Sequence, residues 1–223
     1  MEAIPPDCSI YQYDDLSVDL AIRLLILFPA ESFGAPLRCK LETTDLLTIV
    51  QSTVYDKIGQ GSQQTSDDPR DEASDLAYEA LSYTWGSKEH TAHIMFDDNK
   101  FIPITANLEA FLRYRREKLR PVRLWVDAVS INQKNTAECD AQVQLMNRIY
   151  AAAPSLTIWL GPPDSESDAA MRELDILSDG HPFEKLDPME RSVFAAIEKL
   201  LTRNWWERVW IIQELRFGAN YYI

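Results

Sequence analysis

A chain of 223 residues can bury one sizeable hydrophobic core, and 46% apolar with 26% charged residues excludes a wholly disordered or collagen-like polypeptide. Its 22 basic against 35 acidic residues give a formal net charge of -13, and no basic run exceeds Arg115-Arg116, which argues against nucleic acid as a partner. Cys8, Cys39 and Cys139 are odd in number and lack a C-x-x-C pair, the pattern of reduced thiols in a cytoplasmic protein.

Leu20 to Phe28 is apolar but broken by Arg23, and it is far shorter than the roughly 20 residues a membrane-spanning helix needs, so no membrane span is expected. Glu2 and Asp7 stand where a secretory signal would be basic. The runs Ile22 to Phe28 and Leu37 to Leu41, parted by Pro29, Gly34 and Pro36, predict an antiparallel strand pair at the periphery of the fold. From Asp56 to Asp75 the chain turns polar, with Gly59, Gly61 and several aspartates, and reads as a mobile loop.

A strand over Tyr78 to Tyr83 ends in Thr84, Trp85 and Gly86. His93 to Phe96 and Phe101 to Ile104 predict a hairpin turned by Asp97, Asp98 and Asn99. Leu108, Phe111, Leu112 and Leu119 predict a helix over 107–119, and Val122 to Val129 reads as a buried central strand carrying one acid, Asp127. Asn135 with Glu138 opens a capped helix through Ala152, with Val143, Met146, Ile149 and Tyr150 on one face; Leu156 to Leu160 is the next buried strand. Strand and helix alternate as in an open, mainly parallel α/β sheet, whose ligands sit beyond the carboxyl ends of the strands. That rule points to Trp85 and Gly86, to Asp127 through Gln133, and to Gly161.

The last third reads as helical. Ser167 is expected to cap a helix to Leu177, with the acidic stretch from Asp164 to Asp168 as a solvated loop leading into it. Asp187, Pro188 and Glu190 signal a helix reaching Leu201. Asn204 and Glu207 start a final one whose Trp205, Trp206, Val209, Trp210, Ile211, Ile212, Leu215 and Phe217 surround it almost completely. Such a helix should be deeply buried.

Three stretches stand out in order: Tyr78-Glu79-Ala80-Leu81-Ser82-Tyr83-Thr84-Trp85-Gly86, Leu124-Trp125-Val126-Asp127-Ala128-Val129-Ser130-Ile131-Asn132-Gln133, and Arg208-Val209-Trp210-Ile211-Ile212-Gln213-Glu214-Leu215. Together with Ile149-Tyr150 and Trp159-Leu160-Gly161 they closely resemble the signature blocks of the fungal heterokaryon-incompatibility (HET) domain family. Ser130 stands where family members often carry cysteine, which argues against a thiol nucleophile there. The resemblance covers essentially the whole chain. It implies one HET domain over 1–223, made of an N-terminal β-strand extension (1–55), a polar loop (56–76) and a TIR-like, flavodoxin-like core (77–223), in what is expected to be a longer polypeptide.

The function so implied is a cytoplasmic effector of incompatibility cell death, acting as a homo-oligomer on activation and triggered by an incompatibility-partner protein. Trp210 with Glu214 four residues on is similar to the segment that carries the catalytic glutamate of TIR enzymes hydrolysing NAD, with Ile211 replacing its cysteine. Cleaving the nicotinamide-ribose bond expels a neutral base from a cation, so it needs no general acid, chiefly a carboxylate beside the oxocarbenium-like transition state. The resemblance makes Glu214 the candidate catalytic residue and Ser82, Tyr83, Trp85, Asp127, Asn132, Gln133 and Trp210 candidate substrate contacts, with NAD or a related nucleotide as substrate and no cofactor.

Each residue has a structural alternative. Glu214 lies among apolar positions, and its structural explanation is an ion pair with Arg203, Arg208 or Arg216, or a hydrogen bond tying the helix to the sheet. Asp127 is a network member or a ligand contact; Asn132 and Gln133 suit loop hydrogen bonding, and Trp85, Trp205, Trp206 and Trp210 suit packing. His90 and His93 beside Glu89 lack a third ligand, so no metal is expected, and Gly59 and Gly61 lack the context of a P-loop. The competing function is a non-catalytic self-association module.

Overall fold

The computed structural model describes residues 4–16, 18–51, 76–87, 89–178, 191–217 and 220–223. Among these residues, the strands are β1 (Ser9–Ile10), β2 (Ala21–Leu27), β3 (Arg38–Asp45), β4 (Glu79–Tyr83), β5 (Ala92–Phe96), β6 (Lys100–Ile104), β7 (Val122–Trp125), β8 (Ser155–Trp159) and β9 (Tyr221–Tyr222). Helical segments are α1 (46–51), α2 (Ala106–Arg115), α3 (Asp127–Ser130), α4 (Thr136–Ala152), α5 (Ser165–Ser178), α6 (Arg191–Leu201), a 3-10 turn (Asn204–Glu207) and α7 (Ile211–Phe217).

All nine strands join one sheet in the order β1-β6-β5-β3-β2-β7-β4-β8-β9. Parallel pairs are β1/β6, β3/β5, β4/β7, β4/β8 and β8/β9, while β2 is antiparallel to both neighbours and β5 to β6. The fold is therefore mixed α/β, with a large, mostly parallel open sheet and flanking helices. Taken in chain order, β4, β7, β8 and β9 stand 2-1-3-4, the opening of the 2-1-3-4-5 order of doubly wound, flavodoxin-like sheets.

The two faces of the sheet carry separate cores. On one, Leu25, Leu27, Leu81, Tyr83, Val122 and Leu124 meet Leu108, Phe111 and Leu112 of α2. On the other, Ile22, Leu24, Ile26, Ala80 and Trp125 meet Met146, Ile149 and Tyr150 of α4, with Trp205. Helices α2 and α4 thus cover opposite faces around β4, which creates a switch point at its carboxyl end.

The N-terminal strand pair forms as expected but is not peripheral. Strand β2 is in the middle of the sheet, all seven residues buried, because both its edges and both its faces are covered. The helix expected to 119 stops at Arg115, leaving Leu119 88% exposed. The strand expected to 129 stops at Trp125, and Asp127 begins the short helix α3.

At α5 the cap is Asp164 rather than Ser167: its Oδ1 accepts from the amides of Glu166 and Ser167, while the Ser167 hydroxyl accepts from the Asp164 amide. The last helix is broken by residues 208–210, and it is not deeply buried. Trp205 is buried, but Val209 is 80% and Ile212 71% exposed, and Trp206, Trp210 and Leu215 are exposed too. Most of the loop expected over 56–76 and the helix start at Asp187, Pro188 and Glu190 lie outside the described residues.

Candidate functional site

Alternation along β4 sends Leu81 and Tyr83 to one face of the sheet and Ala80 and Ser82 to the other. Ser82 is fully buried, beneath the segment that carries Trp205, Arg208 and Glu214. Its hydroxyl donates to Glu214 Oε2 and accepts from Trp205 Nε1 (2.7 Å) and Arg208 Nη1 (3.1 Å). A serine hydroxyl has one proton and two lone pairs, so this one is saturated.

Glu214 has no exposed surface. Arg208 grips its carboxylate with both terminal nitrogens, Nη2 to Oε1 at 2.9 Å and Nη1 to Oε2 at 3.1 Å, a bidentate pairing that compensates the burial of the charge. The partners are six residues apart. On a continuous helix such positions point about 120° apart around the axis, so the pair forms because 208–210 interrupts the helix. Tyr150 of α4 completes the surroundings: burial, then the nearby Glu214, hold its phenol well above the usual range, so it stays protonated.

Asp127 is the second acid at this strand edge. Trp85 Nε1 donates to its Oδ2 at 2.9 Å, and the Ala128 amide to its Oδ1 at 2.7 Å. Burial nevertheless raises its carboxyl to about 6, opposed by those two hydrogen bonds and by Arg208, with Glu214 pushing it further up. Tyr83 is buried in the core; burial and then Asp127 hold its phenol well up. Trp85, 43% exposed, offers an open indole face fixed by its N–H bond.

Gln133 and Asn132 serve the loop itself. Gln133 Nε2 donates to the Asp127 carbonyl at 2.9 Å, and Asn132 Oδ1 accepts from the Lys134 amide at 3.2 Å. Trp210 lies one turn before Glu214, its carbonyl accepting the Glu214 amide at 3.1 Å, with its ring exposed. Asn107 of α2 ties the ends of β4 and β8 together, donating to the Thr84 carbonyl (2.6 Å) and accepting from Trp159 Nε1 (2.9 Å). Gly86 and Gly161 have φ of 76° and 116°, a region that side chains disfavour.

The candidates therefore fall into two adjoining groups, Ser82 with Glu214 and Trp85 with Asp127 and Gln133. Arg208, Trp205 and Tyr150 join the first group unforeseen as a set: Arg208 was one of three possible arginines, and the aromatics read as core. The only signal was the presence of Arg208 and Glu214 in one motif, and helical periodicity argued against their meeting. A separate cavity of about 530 Å³, lined by Asp15, Asp19, Glu138 and Gln142 among others, includes none of these residues. Among the described residues, no three His, Cys, Asp or Glu side chains gather as a metal site would require, and no helix is long and apolar enough to cross a membrane.

The family model described as heterokaryon incompatibility protein (HET) matches residues 78–214, from the residue before β4 to Glu214. A relative from Neurospora crassa, heterokaryon incompatibility protein 6, OR allele, is 27% identical over 260 residues, covering 95% of this chain and 34% of its own length. The chain thus spans about a third of that relative. No solved structure matches.

Proposed function

This chain belongs to the heterokaryon incompatibility (HET) family, and from that premise we propose that it is an effector domain of fungal incompatibility whose TIR-like core hydrolyses NAD at Glu214. One observation carries the reading. Two acids in different surroundings, Glu214 held by Ser82 and Arg208 and Asp127 held by Trp85 with its carboxyl raised to about 6, adjoin at the carboxyl ends of β4 and β7 beside the exposed ring of Trp85. Trp85 stacks on a ring of the nucleotide. Glu214 stabilises positive charge on the ribose as the C1′–N bond breaks and its electron pair returns to the pyridinium, releasing neutral nicotinamide. Water adds to C1′, and Asp127, ionised above pH 6, takes its proton. The domain works in the cytoplasm, self-associates on activation and answers to an incompatibility-partner protein.

A second reading has its own support. Glu214 is fully buried in a bidentate pair with Arg208, which suits a non-catalytic module that signals by self-association. Glu214→Gln separates the two. As the reacting carboxylate, its loss lowers nicotinamide release by about a thousandfold, near 4 kcal/mol, while the protein stays folded. The change strands Arg208 under either reading, so the rate decides: as a structural strut only, Glu214 has no rate to lose. A folded wild-type assembly that never consumes NAD removes the enzymatic reading.

A further inference from the structure

Hydrolysis at Glu214 requires a planar cation, the pyridinium and then the oxocarbenium, to lie against the carboxylate. That place is already taken. Both Glu214 oxygens accept from the planar guanidinium of Arg208, at 2.9 and 3.1 Å, and the same guanidinium donates to Ser82 at 3.1 Å. We infer that Arg208 is a built-in competitor for the substrate cation, a latch that keeps the Glu214 site closed until Arg208 swings away. The inference rests on Glu214 being the reacting carboxylate and names how that site is regulated.

Three features make Arg208 a latch and not a fixed strut. It lies outside regular helix, between the 3-10 turn Asn204–Glu207 and α7. Its neighbour Val209 is 80% exposed, so swinging Arg208 out gives up charged contacts and little apolar surface, while Trp210, 44% exposed, stays with α7 through its carbonyl bond to the Glu214 amide. By contrast Trp205, 1% exposed, is anchored to Ser82 at 2.7 Å, which sets the hinge between Trp205 and Arg208. With Arg208 gone, Ser82 regains a lone pair and Glu214 Oε1 is released, while Oε2 keeps the Ser82 hydroxyl. Two carboxylates, Glu214 and Asp127, then adjoin with the neutral phenols of Tyr83 and Tyr150, an environment that calls for an incoming cation.

The test compares wild type, Arg208→Lys and Arg208→Gln, each checked for thermal unfolding. Lysine keeps the charge but has no planar fork, so it cannot hold both carboxylate oxygens in the same way. Because a site that is mostly closed binds with an affinity reduced by its open fraction, unlatching should lower KM for NAD by about tenfold or more at unchanged kcat. Carbodiimide labelling read by mass spectrometry should find Glu214 protected in wild type and reactive in both variants. Millimolar guanidinium ion should restore the lost inhibition, competitively with NAD.

If Arg208 only supports the fold, the variants lose activity and melting temperature together, and guanidinium raises activity instead; that pattern overturns the latch. Variants that hydrolyse NAD no better than wild type, with Glu214 still protected, overturn it too. If Glu214 becomes reactive but no form releases nicotinamide, the closure by Arg208 stands and the NAD reading falls. Should Arg208→Gln fail to fold, Arg208→Lys and the guanidinium arm carry the same decision.

Discussion

Asp127 and Glu214 share one strand edge, yet their neighbours treat them in opposite ways: an arginine fork neutralises Glu214, while Asp127 has two N–H donors and a burial cost that outweighs them. The consequence is a defined pH dependence. An unfolded aspartate titrates near 4, whereas Asp127 keeps its proton to about 6 in the folded protein, so the folded state binds more protons in between. Stability from this group is complete below pH 4 and is lost as the pH rises through about 6. Asp127→Asn should flatten that part of the stability curve, which urea unfolding of both proteins at pH 4.5 and 7 would measure; an unchanged slope would show that Asp127 titrates normally.

At this scale the sequence was half legible. The cap of α4 was readable, since Asn135 Oδ1 does accept the Glu138 amide at 3.2 Å. What the Glu138 carboxylate binds was not, because it pairs with buried Arg23, whose position 115 residues earlier no local pattern can reveal. The same limit hid the Ser82 cluster, assembled from β4 and a segment more than 120 residues later.

Among the elements, the strands β4, β7 and β8 were legible because each is a short apolar run between turn residues. The final helix misled for a physical reason: apolar residues all round a helix imply burial only if the helix is continuous and covered, and here a turn at 208–210 divides it and leaves Val209 and Ile212 outside. Two substitutions should therefore differ sharply although both fall in one motif-rich stretch. Trp205→Ala removes a fully packed ring and an N–H bond to Ser82 and should cost about 3–5 kcal/mol. Ile212→Ser should change stability by less than about 0.5 kcal/mol. Chemical denaturation of the two variants checks both; equal losses would mean that Ile212 is buried in solution, as by self-association.

For the whole molecule, the ordered motifs located the family and the parallel part of the sheet, but not its centre. Local pattern showed that β2 and β3 pair, and could not show that β2 also pairs with β7, a hundred residues away. Assembly belongs to this scale. If the proposed site is completed by self-association, nicotinamide release per molecule should climb with protein concentration, alongside the light-scattering mass. A rate strictly proportional to concentration over a wide dilution series would instead assign the activity to the monomer.

The central position of β2 also bears on how the chain is made. During synthesis β2 and β3 leave the ribosome before β7 and can pair at once, but at about 5–20 residues per second β7 follows only some 5–20 seconds later. Through that interval an apolar strand waits with one hydrogen-bonding edge vacant, a target for chaperones and for misassembly with neighbouring nascent chains. A gene fragment beginning at β4 reverses the hazard: it yields β7 with no β2 to cover it, so the motif-bearing part expressed alone should accumulate as insoluble aggregate and dissolve when the first fifty residues are supplied beside it.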